Sequence, residues 1–263
     1  MIPKIIHYCW FGRNPLPELA LKCIESWKEF LPEYEIKEWN EDNYDVRKIT
    51  YISQAYDAKK YAFVSDYARF DILYQYGGIY FDTDVEVIKD LTPIIEAGPF
   101  MGVEQIGLIA TGLGIGSLPF SDLFKEILDS YADEKFLNID GSLNLKTVVV
   151  RVSDIFRKHG FTEDDKIQDV KGYKIYPAEY FCPKNYKTRI MTLTENSYTI
   201  HHYDGSWCSE GDKKRLIFKE RILIKYGNNL LSRCISKVYN LFSLVNEIGF
   251  IKTVKFYFKH KKC

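Results

Sequence analysis

The chain has 263 residues, 46% hydrophobic and 16% aromatic, enough to bury a sizeable core in one large domain or in one domain with an appendage. No stretch approaches the roughly 20 consecutive apolar residues of a membrane span, and the opening MIPKIIHYCWFG is too short and aromatic for a signal peptide, so a cytoplasmic chain is expected. Net charge is zero, yet residues 213–263 hold 13 Lys or Arg against two acids, Glu220 and Glu247, a net +11 that leaves −11 on residues 1–212. That boundary separates an expected main domain, 1–212, from a basic helical tail, 213–263. The six cysteines (Cys9, Cys23, Cys182, Cys208, Cys234 and Cys263) include no CxxC pair, a pattern of reduced packing thiols rather than of disulfides or a zinc site.

In chain order, KIIHYCWF is dense in β-branched and aromatic residues and predicts a buried strand, broken by Gly12, Asn14, Pro15 and Pro17. Leu16, Leu19, Ala20, Cys23, Ile24, Trp27, Phe30 and Leu31 then recur at helical spacing up to Pro32. YEIKEWN predicts a second strand. A helix is expected from Ala55 to Tyr76, ended by Gly77-Gly78, where glycine supplies a left-handed residue. IYFDTDVEVI predicts a third strand, and TGLGIGSLPFSDLFKEILDSY a small-residue loop followed by a helix. This alternation indicates an α/β protein with a mostly parallel sheet, where ligands sit at the carboxyl ends of strands.

Asp82 and Asp84 fall in that region. On an extended strand they share one side while Thr83 points away. Two carboxylates on one side repel each other and lose hydration, a cost that a divalent cation reverses. Oxygen ligands suit Mg²⁺ or Mn²⁺, which one or two carboxylates hold together with substrate phosphates. The competing account is a pair of solvated aspartates at a turn.

Three separated segments, IIHYCWFG, SDYARFDILYQYGGIYFDTDVEVI and YTIHHYDGSW, together resemble the bacterial members of glycosyltransferase family 32, over roughly residues 1–210. That family is similar to yeast-type mannosyltransferases and to the glucosyltransferase domains of large clostridial toxins. The resemblance implies a GT-A fold (a Rossmann-like, mostly parallel mixed sheet flanked by helices), a nucleotide-sugar donor, Mn²⁺ or Mg²⁺, and retention of anomeric configuration. It puts Trp10 against the nucleotide base, where an indole face can stack a flat ring for roughly 1–3 kcal/mol without selecting the base. A plain core aromatic is the alternative for Trp10.

By the same resemblance, Ser65, Asp66 and Arg69 hold donor ribose and sugar hydroxyls, though Asp66 and Arg69 at i and i+3 also fit a surface ion pair worth under about 1 kcal/mol. Tyr80, Asp82 and Asp84 match the Tyr-x-Asp-x-Asp segment: Asp84 ligates the metal, and Asp82 reaches sugar hydroxyls and touches the metal through water. Thr111 and Gly112 lie in the wall against the donor sugar. Ser206 and Trp207 match the family's Ser-Trp near the diphosphate and glycosidic oxygen. His201 and His202, neighbours on a strand, face opposite ways, so only one can reach the metal. His201 is preferred, although His202 has the His-x-x-Gly spacing of other GT-A enzymes. Asp82, Asp84, Arg69 and Trp207 form the catalytic set.

The expected activity moves a hexose from a nucleotide sugar, a UDP-sugar in preference to a GDP-sugar, to a saccharide acceptor that is lipid-linked, in capsule or lipopolysaccharide synthesis. No unassigned acid in the three motifs stands out as a nucleophile, so same-face attack is preferred to a covalent intermediate. The rival class is a GT-A module that binds a nucleotide or glycan without turnover. In the tail, Leu231, Cys234, Ile235, Val238, Leu241, Phe242, Val245 and Ile248 fall on one helical face. A +11 segment gains up to about 1 kcal/mol per Lys or Arg near an anionic leaflet, so peripheral attachment to the inner face of the cytoplasmic membrane is expected. No nucleic-acid recognition motif accompanies the charge.

Overall fold

The computed structural model of the protein describes residues 1–186, 188–205, 210–227, 229–250 and 252–253. Two compact units are present: Met1–Lys184 with Thr192–Tyr203, and Asn185–Met191 with Asp204–Cys263.

The first unit opens with β1 (Ile5–Cys9), α1 (Glu18–Phe30), β2 (Glu35–Trp39), α2 (Thr50–Asp57), α3 (Tyr61–Tyr76), β3 (Gly78–Tyr80), β4 (Val85–Val87) and α4 (Thr92–Glu96). It continues through β5 (Phe100–Gln105), β6 (Leu108–Ser117), α5 (Asp122–Asp129), α6 (Val148–Lys158), β7 (Gln168–Val170), β8 (Tyr173–Tyr176), α7 (Ala178–Phe181) and β9 (Thr199–His201). Seven strands form one sheet in the order β2-β1-β3-β6-β5-β8-β7. Five of them (β2, β1, β3, β5, β8) run the same way and β6 and β7 run against them, so the sheet is mixed and mostly parallel, as expected. The carboxyl ends of β1, β3 and β5 therefore share one edge. A separate antiparallel pair, β4 with β9, joins Val85 to His201 and Val87 to Thr199.

Apolar cores cover both faces of the large sheet. One is built on Phe70, Phe124, Phe156 and Tyr80, the other on Trp27, Phe81, Phe100 and Phe181. Burying each such ring is worth about 1.5–3 kcal/mol relative to leaving it in water. Alternation along β3 divides its residues between the cores, Tyr80 to the first and Ile79 and Phe81 to the second.

Helix α1 does more than pack. Trp27 Nε1 donates to the Val85 carbonyl (2.8 Å) and Ser26 Oγ accepts from the Val87 N–H (3.0 Å), which pins β4 beside the helix. Gly77 closes α3 at φ 63°, the left-handed cap expected there.

Three expectations are corrected. The helix expected from Ala55 to Tyr76 is two helices, broken where Lys59 takes φ 56° and leaves the α region. The strand expected over IYFDTDVEVI is two strands in two sheets, with Asp82–Asp84 in a turn closed by the Val85 N–H on the Asp82 carbonyl (3.1 Å). Strand alternation therefore does not set the directions of the two aspartates. Residues 111–117, expected as a loop, are buried strand within β6. Their glycines are packing space: a Cβ at Gly116 would sit 2.2 Å from Phe100. The segment from Tyr176 to Tyr186 ends β8 and contains the short helix α7.

The second unit contains α8 (Glu210–Tyr226) and α9 (Leu230–Ile248). Asn229 caps α9 in a box with Ser232, Asn229 Oδ1 accepting from the Ser232 N–H and Ser232 Oγ from the Asn229 N–H. Phe218 stacks on Tyr239 with ring centroids 3.7 Å apart.

Candidate active site

The Asp82–Asp84 turn bridges the two sheets, and each aspartate belongs to a different side of it. On the large-sheet side the ladder runs one residue past β3, with the Phe81 N–H on the His7 carbonyl (3.1 Å) and the Asp82 N–H on the Gly112 carbonyl (3.0 Å). Asp82 Oδ1 accepts from Tyr80 Oη (2.9 Å) and from Arg69 Nη2 (3.2 Å). Arg69 is buried and also pairs with Asp66 (3.0 Å), while its Nη1 donates to Thr111 Oγ1 (2.6 Å) and its Nε to the Ser65 carbonyl (3.2 Å). Its guanidinium lies 4.9 Å from the Tyr80 ring centroid.

One buried cation thus answers two carboxylates. Burial, with Asp82's charge in support and Arg69's in opposition, lifts the Asp66 carboxyl to about 6. Burial and the adjacent Asp82 charge push the Tyr80 phenol up, so it stays a donor. The other Asp82 oxygen faces β6, where a Cβ on Gly112 would sit 1.8 Å from Oδ2. Only glycine leaves room for the aspartate there.

On the small-sheet side, Asp84 Oδ1 lies 3.2 Å from His201 Nε2, and the Asp84 carbonyl accepts from the His202 N–H (2.9 Å). Burial disfavours a charged His201, but Asp84's charge and hydrogen bond outweigh it and raise the ring to about 10. Nδ1 of His201 is buried, with Cys182 and Tyr203 beside the ring. His202 parts from its neighbour, as strand geometry predicts, and pairs with Glu86 (2.7 Å), which Lys22 also contacts (2.9 Å).

The residue types fit a divalent cation. Asp84 and His201 bring an oxygen and a nitrogen donor to one point, a set suited to Mn²⁺ or Mg²⁺. Among the described residues no three His, Cys, Asp or Glu groups converge on one point. Asp82, tied to Arg69 and Tyr80, is turned to the other side.

Of the residues expected from the sequence, Ser65, Asp66, Arg69, Tyr80, Asp82 and Thr111 meet in one hydrogen-bonded network, and Asp84 and His201 form a second group beside it. Trp10 lies partly buried just past β1, its Nε1 donating to the Asn14 carbonyl (2.6 Å). Ser206 and Trp207 lie outside the described residues.

Glu86 and Glu104 were not singled out. Glu86 continues the alternate-acid run Asp82, Asp84, Glu86, a signal present in the sequence. Glu104 lies at a break in register near the carboxyl end of β5, and burial raises its carboxyl despite the opposing charge of His201. An acid closing the apolar run of FMGVEQ was the same kind of signal as Asp82. Cys182 and Tyr203, joined Sγ to Oη at 2.9 Å beside His201, gave no signal in the sequence.

A mixed sheet thus carries an Asp-x-Asp turn and a buried arginine near its strand ends. Residues 17–101 match the family described as a glycosyltransferase sugar-binding region containing a DXD motif, so over that stretch the resemblance to DXD-motif glycosyltransferases is borne out. The chain is similar to an uncharacterized glycosyltransferase of Acanthamoeba polyphaga mimivirus, at 27% identity, with 85% of this chain and 91% of that protein covered. It is also similar to inositol phosphoceramide mannosyltransferase 3 of Schizosaccharomyces pombe, at 34% identity over 36% of this chain and 27% of that protein. Among solved structures, the PaToxG glycosyltransferase matches with a TM-score of 0.45 and 20% identity, covering 60% of this chain and 69% of that one.

Proposed function

We propose that the protein transfers a hexose from a nucleoside-diphosphate sugar, a UDP-sugar first among donors, to a saccharide acceptor with retention of configuration. The observation that carries this reading is the divided Asp82–Asp84 turn, a polar network on one side and an Asp–His pair on the other. In the polar network, Arg69 fixes Asp66, Asp82 and Thr111 relative to one another, so ribose and sugar hydroxyls meet acceptors already oriented. Asp84 and His201 are the residues to hold Mn²⁺ or Mg²⁺, which when bound supplies Lewis-acid stabilisation of negative charge on the departing diphosphate. Trp10 stacks on the base, and the Ser206-Trp207 motif is assigned to the diphosphate and the glycosidic oxygen by the family resemblance alone.

Retention requires the acceptor hydroxyl to attack from the side the leaving group departs. Same-face attack, with the departing phosphate oxygen taking the hydroxyl proton, balances the reaction without a protein nucleophile.

The acceptor is lipid-linked, as in capsule or lipopolysaccharide synthesis, and the basic C-terminal segment keeps the enzyme at the inner face of a membrane. Two features support this: the net +11 of residues 213–263, and the similarity to a Schizosaccharomyces enzyme whose name carries a lipid, inositol phosphoceramide. Among the described residues no helix is long and apolar enough to cross a membrane. The test is release of sugar from a panel of UDP- and GDP-hexoses, with and without Mn²⁺. Metal-stimulated hydrolysis of one donor is expected. Binding of every donor without turnover would favour a module that only binds.

A further inference from the structure

In the second unit, α9 turns a row of large apolar side chains outward. The face of α9 toward α8 is built from Ser232 (0% exposed), Ser236 (6% exposed), Tyr239 and Ser243, the last bonded to Arg215 Nη1 (3.1 Å), which also pairs with Glu247 (2.5 Å). The opposite face of α9 presents Leu231 (61% exposed), Val238 (54%), Leu241 (45%) and Phe242 (64%). On α8, Ile217 and Ile224 are also exposed, while Leu223 is buried. A helix hairpin in water ordinarily turns its apolar stripe into the seam. Serines on the inward face of α9 with apolar side chains outside are a feature of helices that meet in apolar surroundings. An outward apolar face of this extent marks an interaction surface.

Charge at the rim selects the occupant. Exposed Arg233 and Lys237 border the apolar stripe of α9, and exposed Arg221 borders Ile217 and Ile224 on α8. Two copies meeting through this face would bring these cations together, whereas an anionic bilayer accepts the apolar face and the cations at once. Arg and Lys stems can lie along the apolar stripe while their heads reach phosphate.

We infer that the α8–α9 hairpin lies in the plane of an anionic membrane surface with Leu231, Val238, Leu241 and Phe242 below the headgroups. This rests on the membrane reading above and adds that insertion of a defined face, rather than charge alone, supplies the anchor.

The test is flotation of the full-length protein with phosphatidylcholine vesicles, with and without phosphatidylglycerol. The wild type is expected to float with the anionic vesicles. Phe242→Asp should reduce that binding at least about tenfold while leaving helical circular dichroism and donor hydrolysis in solution unchanged, and Lys237→Gln should reduce it only a few-fold. Undiminished flotation of folded Phe242→Asp would overturn insertion and leave a charge-only contact. A wild-type dimer that Phe242→Asp dissociates, with no vesicle binding by either, would make the face a self-association surface and overturn the inference. Donor hydrolysis by the same preparations reports on sugar transfer independently of either result.

Discussion

The two aspartates of the Asp82–Asp84 turn are the same residue type two positions apart, yet they live in unlike surroundings. Asp82 is held by a buried guanidinium and a phenol on the large sheet, its remaining oxygen facing a glycine. Asp84 is attached to the two-stranded sheet, beside a largely buried histidine that its own charge keeps protonated. A carboxylate oxygen held by two fixed donors belongs to an orienting group, whereas a carboxylate whose partner can give up a proton is available to a cation. Under the function proposed above, the first side of the turn positions the donor and the second holds the metal.

The largest expected effect comes from the metal side. Asp84→Asn should lower Mn²⁺-stimulated turnover by about a hundredfold or more and weaken Mn²⁺ binding by calorimetry, with circular dichroism unchanged. Wild-type turnover in this variant would break the division between the two aspartates. Gly112→Ala probes the other side, since a Cβ there collides with Asp82. It should cost at least about tenfold in kcat/KM and destabilise the fold by about 1–3 kcal/mol, while Mn²⁺ affinity holds. An equal loss of Mn²⁺ affinity would mean that the two sides act as one site.

The adjacent histidines sharpen the comparison further. His201→Ala should weaken Mn²⁺ binding about tenfold, and His202→Ala, whose ring is engaged with Glu86, no more than about threefold. Equal effects would remove His201 from the metal side.

The smallest effect concerns the foundation of the large-sheet side, where His7 on β1 is paired with Tyr80 in register. His7 is fully buried between the Trp39 Nε1–H and the Gly77 carbonyl, and burial lowers its pKa to about 4 from 6.5. Because the unfolded chain takes up the proton first, the stability that His7 contributes is fully present above about pH 6.5 and is lost as pH falls toward 4. Between about pH 7 and about pH 5.5, urea-unfolding stability of the wild type should fall by about 1 kcal/mol relative to His7→Gln.

Much of this was legible in the sequence because it depends on local pattern. The apolar spacing of α1, the glycine that caps α3 and the acids after GGIYF follow from side-chain periodicity and backbone freedom, which neighbouring residues alone impose. The Ser65, Asp66 and Arg69 group came from the family resemblance, with only the i, i+3 spacing of Asp66 and Arg69 legible as local pattern. What could not be read was the change of sheet between Tyr80 and Val85. Pairing of β4 with β9 joins residues more than a hundred positions apart, and α1 holds β4 through Trp27 and Ser26, contacts that no local pattern encodes. The glycines of β6 read as a loop because the bulky groups that need their space, Phe100 and Asp82, come from other parts of the chain. Sequence by itself determined the α/β alternation, the identity of the acids and the charge of the tail, since these need only composition and spacing. Tertiary structure alone decided that Asp82 faces Arg69 while Asp84 faces His201, and that α9 turns its serines inward, because direction depends on which distant surface fills the space beside a residue.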